Sequence, residues 1–134
     1  MIGRLNHIAI AVPNLEISRS KYKDMFGVTV SEPFEQIEHN VKVCFISLPN
    51  TKIELIAPLD KESPIINFLE KNPSGGIHHV CYEVKSILDS RNKLIKKGAR
   101  IVGNGEPKIG AHGKPILFLH PKDFDGTLIE LEEI

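Results

Sequence analysis

The sequence lacks the features that would place it outside ordinary water-exposed folds. Neither charge is in excess: 17 Lys and Arg balance 17 Asp and Glu, for a formal net charge of zero. Nucleic-acid binding usually shows a basic surplus on one face, and none is evident here. No apolar run approaches the ~20 residues that a membrane-spanning helix needs. Met1 to Arg4 carries no charged-then-apolar leader and runs straight into a strand-like segment, so a cytoplasmic location is expected. Cysteine is scarce. Cys44 and Cys81 each sit in an apolar strand-like run without a close cysteine partner, and read as buried thiols rather than a disulfide or a metal pair. There is no low-complexity segment. With 134 residues the chain is long enough for one compact domain and short for two separate ones.

What is present is a repeat. Leu5 to Val12, LNHIAIAV, and Ile77 to Val84, IHHVCYEV, superpose with His7 on His79 at an offset of 72. A helical pattern follows each. Leu15, Tyr22, Met25 and Phe26 fall on one face of the first, and Ile87, Arg91, Leu94 and Ile95 on one face of the second, where Arg91 contributes only its stem. Asn14 and Ser86 suit the N-cap position, and Gly27 and Gly98 the left-handed C-cap. Short extended stretches follow, VTVSE and ARIVG. Each half then closes on two strands: VKVCFISL and TKIELIA in the first, PILFLH and TLIELEEI in the second. TKIEL over TLIEL puts Glu54 on Glu130 at an offset of 76. The four extra residues fit a longer loop around Asn104 to Lys114. Between the halves, Pro58 to Gly76 holds a short helical stretch, Ser63 to Lys71, with Ser63 as N-cap and Pro64 at the first helical position. The expected fold class is therefore α+β: two βαβββ modules forming a curved mixed sheet around a central metal site, with the helices outside. The single domain, 1–134, divides into module one at about 1–57, a connector at 58–76 and module two at about 77–134.

Strand parity turns the repeat into chemistry. Alternate residues face opposite ways, so Ile8, Ile10 and Val12 face the helix while His7, Ala9 and Ala11 line the other face, which is expected to be open and roomy. Likewise His79 lies opposite Val80 and Tyr82, Glu54 opposite Ile53 and Leu55, and Glu130 opposite Ile129 and Leu131. A lone strand histidine is usually a surface or capping group, and a lone strand glutamate usually faces solvent. A histidine and a glutamate at matched places in two modules are harder to obtain from packing alone. If the modules pair about a pseudo-two-fold axis, His7, Glu54, His79 and Glu130 converge on one divalent ion. Two imidazoles and two carboxylates suit Co, Ni, Mn, Fe or Zn better than a thiolate-preferring ion. His78 competes with His79, and Glu132 with Glu130; register and the TKIEL/TLIEL match favour His79 and Glu130.

HIAIAVPNLE, the paired TKIEL and TLIEL strands, and GGIHHVCYEV resemble the vicinal-oxygen-chelate (glyoxalase/bleomycin resistance/dioxygenase) superfamily over essentially the whole chain. APLDKESPIINFLEKNPSGGIHHVCYEV and EPKIGAHGKPILFLHPKDFDGTLIELE are most similar to its methylmalonyl-CoA epimerase members. The resemblance implies an isomerase, often a homodimer, that interconverts the epimers of methylmalonyl-CoA through an enediolate with one divalent metal. Glu130 is implied as one acid/base group. Some members carry a second glutamate on the preceding strand, but Val43 stands at that place here. Lys42, Glu38, His112, Lys114 or a water is left for the second role. His112, Lys114, His120 and Lys122, in the GAHGKP and FLHPKD segments, suit contact with a carboxylate or with CoA phosphates; the alternative is a solvated turn. Two other functions share the scaffold. A glyoxalase I type lactoylglutathione lyase would use the same ligand types on a hemithioacetal. A non-catalytic small-molecule binding protein would need no metal, so the four matched ligands argue against it.

Overall fold

The structure is a computed structural model and describes residues 1–134. In chain order the elements are β1 (Ile2–Ala11), α1 (Leu15–Phe26), β2 (Phe34–Gln36), β3 (Val41–Ser47), β4 (Lys52–Pro58), α2 (Ile65–Lys71), β5 (Gly76–Val84), α3 (Ile87–Lys96), β6 (Lys108–Ile109), β7 (Pro115–Leu119) and β8 (Ile129–Glu133), with 3-10 turns at Ile37–His39 and Pro121–Asp123. No helix is long and apolar enough to cross a membrane. Two compact units emerge: Ile8–His78, and Met1–His7 together with His79–Ile134. β1 and β5 are each divided between them.

In the unit Ile8–His78 the strands run in the order β2-β3-β4, followed by the part of β1 after His7. β3 and β4 pair antiparallel over their whole length, Val41 opposite Pro58 to Ser47 opposite Lys52. Val12, Leu15, Val30, Cys44, Ile46, Leu55 and Ala57 form the core, with Ile10, Tyr22 and Ile53 packed against it. Ile10, Val12, Ile53 and Leu55, which parity turns toward the helix, all lie in this cluster, whereas Ile8 does not. Leu55 is fully buried, and truncating such a side chain to alanine costs about 2–5 kcal/mol. α1 starts where Asn14 Oδ1 accepts the Ile17 N–H at 3.0 Å. It stops at Gly27, whose φ of 64° is the left-handed cap.

The stripe along α1 differs from the expected one. Leu15, Ser18 and Arg19 are buried, whereas Met25 and Phe26 are 75% and 69% exposed. Arg19 takes the inward place because its guanidinium has carbonyls to serve: Nε donates to Ser31 O at 2.8 Å and Nη2 to Val30 O at 3.4 Å. Phe26 instead lies tilted against Tyr22. The stretch VTVSE is not a full strand either. Val30 makes a single bridge to Ile46, and Ser31 Oγ accepts the Phe45 N–H at 2.8 Å in place of a ladder carbonyl. The paired outer strand is β2, beyond Pro33. α2 begins at Ile65 rather than at Pro64, with Ser63 Oγ accepting the Ile65 N–H.

In the other unit the order is the first part of β1, then β5-β8-β7-β6. β5 and β8 are parallel, and β7 is antiparallel to both β8 and β6, so the sheet is mixed as expected. Val84, Ile87, Leu117, Leu119 and Leu131 form the core, joined by Tyr82, Leu94 and Ile129. Ser86 Oγ caps α3 at the Asp89 N–H, and the Glu133 carboxylate accepts the Ile87 N–H at 2.8 Å. Ile95, expected on the inner stripe, is 52% exposed; the inner face runs through Ile87, Ser90 and Leu94 instead. ARIVG contributes only an Ile101–Leu119 bridge, and the expected long loop holds β6. Neither cysteine forms a disulfide, and both are buried.

Ala9 and Ala11 correct another expectation. Their face is not open, since both are 0% exposed. The turn at Gly75 comes up against the backbone of Ala11. A Cβ on Gly75 would stand 2.4 Å from the Ala11 carbonyl oxygen, and its φ is +90°. Only glycine fits so close an approach.

Candidate metal centre

Three of the expected ligands meet within one unit. β1 delivers His7, β5 delivers His79 and β8 delivers Glu130, each on the face away from the α3 core. His7 Nε2 lies 3.4 Å from His79 Nε2. Glu130 Oε2 lies 2.8 Å from His79 Nε2 and 3.3 Å from His7 Nε2. All three side chains are buried, at 1%, 3% and 5% exposure. Burial alone pushes the Glu130 carboxyl up; the hydrogen bonds and charge of His7 and His79 outweigh it and hold it at about 2.

This donor set fits a divalent ion. Donor atoms about 3 Å apart have the spacing of neighbouring ligands around an ion bound at roughly 2.1 Å. Two imidazoles and a carboxylate are nitrogen and oxygen donors of the borderline-to-hard class. Cys81 Sγ also lies within 4.8 Å of the His7 and Glu130 ligand atoms. Glu54 is on β4 in the other unit, buried at 4% exposure and paired across the strands with Phe45.

The competitors separate cleanly. His78 stacks edge-on against Phe68, at 5.1 Å between ring centres. Glu132, 4% exposed, accepts from His112 Nδ1 at 2.8 Å and from Asn6 Nδ2 at 3.3 Å. His112 is thereby held beside the cluster, with its ring centre 5.8 Å from that of His7. His120 acts locally, its Nδ1 accepting the Lys122 N–H to cap the turn Pro121–Asp123. Lys114 and Lys122 are exposed.

Sequence reasoning missed Asn6 and Phe118. Phe118 pairs across from Glu130 and sets its ring edge-on against His79, at 5.4 Å. Parity could have found it, because it alternates with the core residues Leu117 and Leu119. Asn6 precedes His7, so parity sends it to the opposite face. Its Oδ1 nevertheless accepts from His7 Nδ1 at 2.8 Å.

Buried His7, His79 and Glu130 form a cluster of metal-ligand type on strands of a mixed sheet. The chain belongs to the glyoxalase/bleomycin resistance protein/dioxygenase superfamily, whose family model matches residues 6–118. Among its relatives, the ethylmalonyl-CoA/methylmalonyl-CoA epimerase of Cereibacter sphaeroides is 62% identical over 134 residues, all of both chains. The crystal structure of methylmalonyl-CoA epimerase from Mycobacterium tuberculosis superposes with a TM-score of 0.90 at 30% identity, over 98% of this chain and 88% of that one. A methylmalonyl-CoA epimerase solved in complex with methylmalonyl-CoA and ammonium gives a TM-score of 0.91 at 27% identity, over 99% and 95% of the two chains. The expected fold class is thus that of the solved epimerases.

Proposed function

We propose that this chain is a metal-dependent epimerase that interconverts the epimers of methylmalonyl-CoA by removing and returning the proton between the thioester carbonyl and the carboxylate. The observation that carries the reading is the buried convergence of His7, His79 and Glu130, in a chain 62% identical end to end to an epimerase of that substrate class. His7, His79 and Glu130 would hold the ion, with Glu54 as fourth ligand. Glu54 holds in TKIEL the place that Glu130 holds in TLIEL. Once bound, a divalent ion supplies positive charge beside the two substrate oxygens on which negative charge develops. Its identity among Co, Ni, Mn, Fe and Zn is a matter for metal titration.

The chain's own groups handle the proton. Inversion needs a proton-transfer group on each side of the planar carbanion-like species. Glu130 serves one side through its carboxylate. His112 serves the other. Glu132 accepts its Nδ1–H, which puts the ring lone pair on Nε2, the atom that exchanges a proton with substrate carbon. This assignment fills the role for which Val43 leaves no carboxylate. Burial around the cluster keeps water from competing for the proton. Exposed Lys114 and Lys122, with His120, grip the anionic parts of the acyl-CoA. The working form is a cytoplasmic homodimer.

The test is substrate choice. Metal-loaded protein is assayed on methylmalonyl-CoA, ethylmalonyl-CoA and the hemithioacetal of methylglyoxal and glutathione. Epimerisation of an acyl-CoA with no turnover of the hemithioacetal is expected. Rapid hemithioacetal isomerisation without epimerisation would replace this reading with a lactoylglutathione lyase.

A further inference from the structure

Behind His7 lies a buried network of which the reaction outlined above uses only Glu132. Asn6 is 8% exposed, and its amide touches three side chains. Nδ2 stands 3.1 Å from Glu83 Oε1 and 3.3 Å from Glu132 Oε1, while Oδ1 stands 2.8 Å from His7 Nδ1. The orientation of this amide is over-determined. Turned around, it would set an amide oxygen against two carboxylate oxygens, three acceptors with no proton among them. With the NH2 group toward the carboxylates, the amide oxygen must face His7. An amide oxygen can only accept, so the hydrogen bond requires a proton on His7 Nδ1. In a neutral imidazole that proton leaves the lone pair on Nε2, and Nε2 is the atom that meets His79 and Glu130.

We infer that Asn6, oriented by Glu83 and Glu132, is a positioning residue that locks His7 in the one tautomer able to bind a metal through Nε2. The inference rests on the metal reading of the site, and it concerns a residue outside the set of proposed ligands. Without the lock, a neutral His7 can place its single proton on Nε2 and donate it to the Glu130 carboxylate 3.3 Å away, which opposes metal entry. Partners of this kind are typically worth about 10- to 100-fold in metal affinity. Glu132 acts twice, since its other oxygen anchors His112; one buried carboxylate thus orients a ligand on one side and a proton-transfer imidazole on the other.

The experiment measures Zn and Co affinity of the full chain by competition with a chromophoric chelator, for wild type, Asn6→Ala and Glu132→Gln. The 15N signals of the His7 ring are recorded in metal-free wild type alongside. Asn6→Ala should bind both ions about 10- to 100-fold more weakly while keeping wild-type circular dichroism. Glu132→Gln preserves the side chain's size but can present an amide donor to Asn6, so it should weaken binding in the same direction and to a lesser extent. That isosteric variant decides the matter if Asn6→Ala does not fold. Wild-type metal affinity in both folded variants, or a His7 Nδ1 without its proton in wild type, would overturn the inference. A wild type that binds no divalent ion would overturn the metal reading instead, and the ring nitrogen spectrum would still judge the tautomer lock.

Discussion

Replacing Glu130 with glutamine should destabilise the metal-free protein by about 3 kcal/mol when His7 and His79 both carry charge and present protons to the carboxylate, and the effect should vanish in strong acid. Burial on its own would raise the Glu130 carboxyl, but the hydrogen bonds and charge of His7 and His79 bring it from an ordinary 4.5 to about 2. At about 1.4 kcal/mol per pH unit, that difference is worth about 3 kcal/mol. The folded value is the lower one, so the stabilisation is complete above the unfolded value near 4.5 and drains away as pH falls through about 2. The side chain is buried at 5% exposure, so solvent screening discounts this little. A loss of this size is a large share of the about 5–15 kcal/mol typical of whole domains, yet leaves most of them folded. Urea unfolding of chelator-treated wild type and Glu130→Gln, at steps from pH 7 to pH 2.5, reads the difference directly. The gap should close steadily below pH 4.5. A gap of equal size at both ends would refute the charge argument and assign the effect of Glu130 to packing.

Further outcomes follow from other parts of the molecule. Gly75→Ala should lower stability by more than about 2 kcal/mol, because φ is +90° and its Cβ would meet the Ala11 carbonyl oxygen at 2.4 Å. Gly27→Ala, with φ of +64° and open space around it, should cost only about 1–2 kcal/mol; thermal melts of the two variants check the contrast. Cys44 is 0% exposed and burial pushes its thiol up to about 11, so iodoacetamide should leave it unmodified in the folded protein and label it once urea unfolds the chain. Under the proposed function, Lys114→Ala should raise KM for the acyl-CoA about tenfold with kcat within twofold; steady-state kinetics separate that from a mainly lowered kcat.

How much of this was legible in the sequence depends on the length scale. Helix caps at Asn14 and Ser86 and the glycine stop at Gly27 were readable because each is a local hydrogen bond or dihedral requirement. Strand parity placed His7, His79 and Glu130 on one face, since the period of two is fixed by backbone geometry. The inner stripe of α1 was not readable at Arg19. Its inward turn depends on carbonyls of residues 30 and 31, which no helical period reveals. The outer strands were misplaced for a similar reason. A serine hydroxyl at Ser31 substitutes for a ladder bond, so VTVSE looks like a strand and pairs at one point. That Ala9 and Ala11 are small is read off the sequence, but whether a small residue lines an open face or a covered one depends on what packs over it, and both are 0% exposed. Asn6 was invisible because its partners Glu83 and Glu132 lie 77 and 126 residues away.

Central to the proposed function is that the groups around His7, His79 and Glu130 remove and return the α-proton of an acyl-CoA. The most direct measurement is deuterium uptake from solvent into the α-position of methylmalonyl-CoA, followed by mass spectrometry with metal-loaded wild type and with Glu130→Gln at verified metal occupancy. Wild type should incorporate deuterium as it epimerises, because the proton passes through an exchangeable side chain, and the fully loaded variant should incorporate almost none. A fully metal-loaded wild type that leaves the α-proton unexchanged and the epimers unconverted would contradict it.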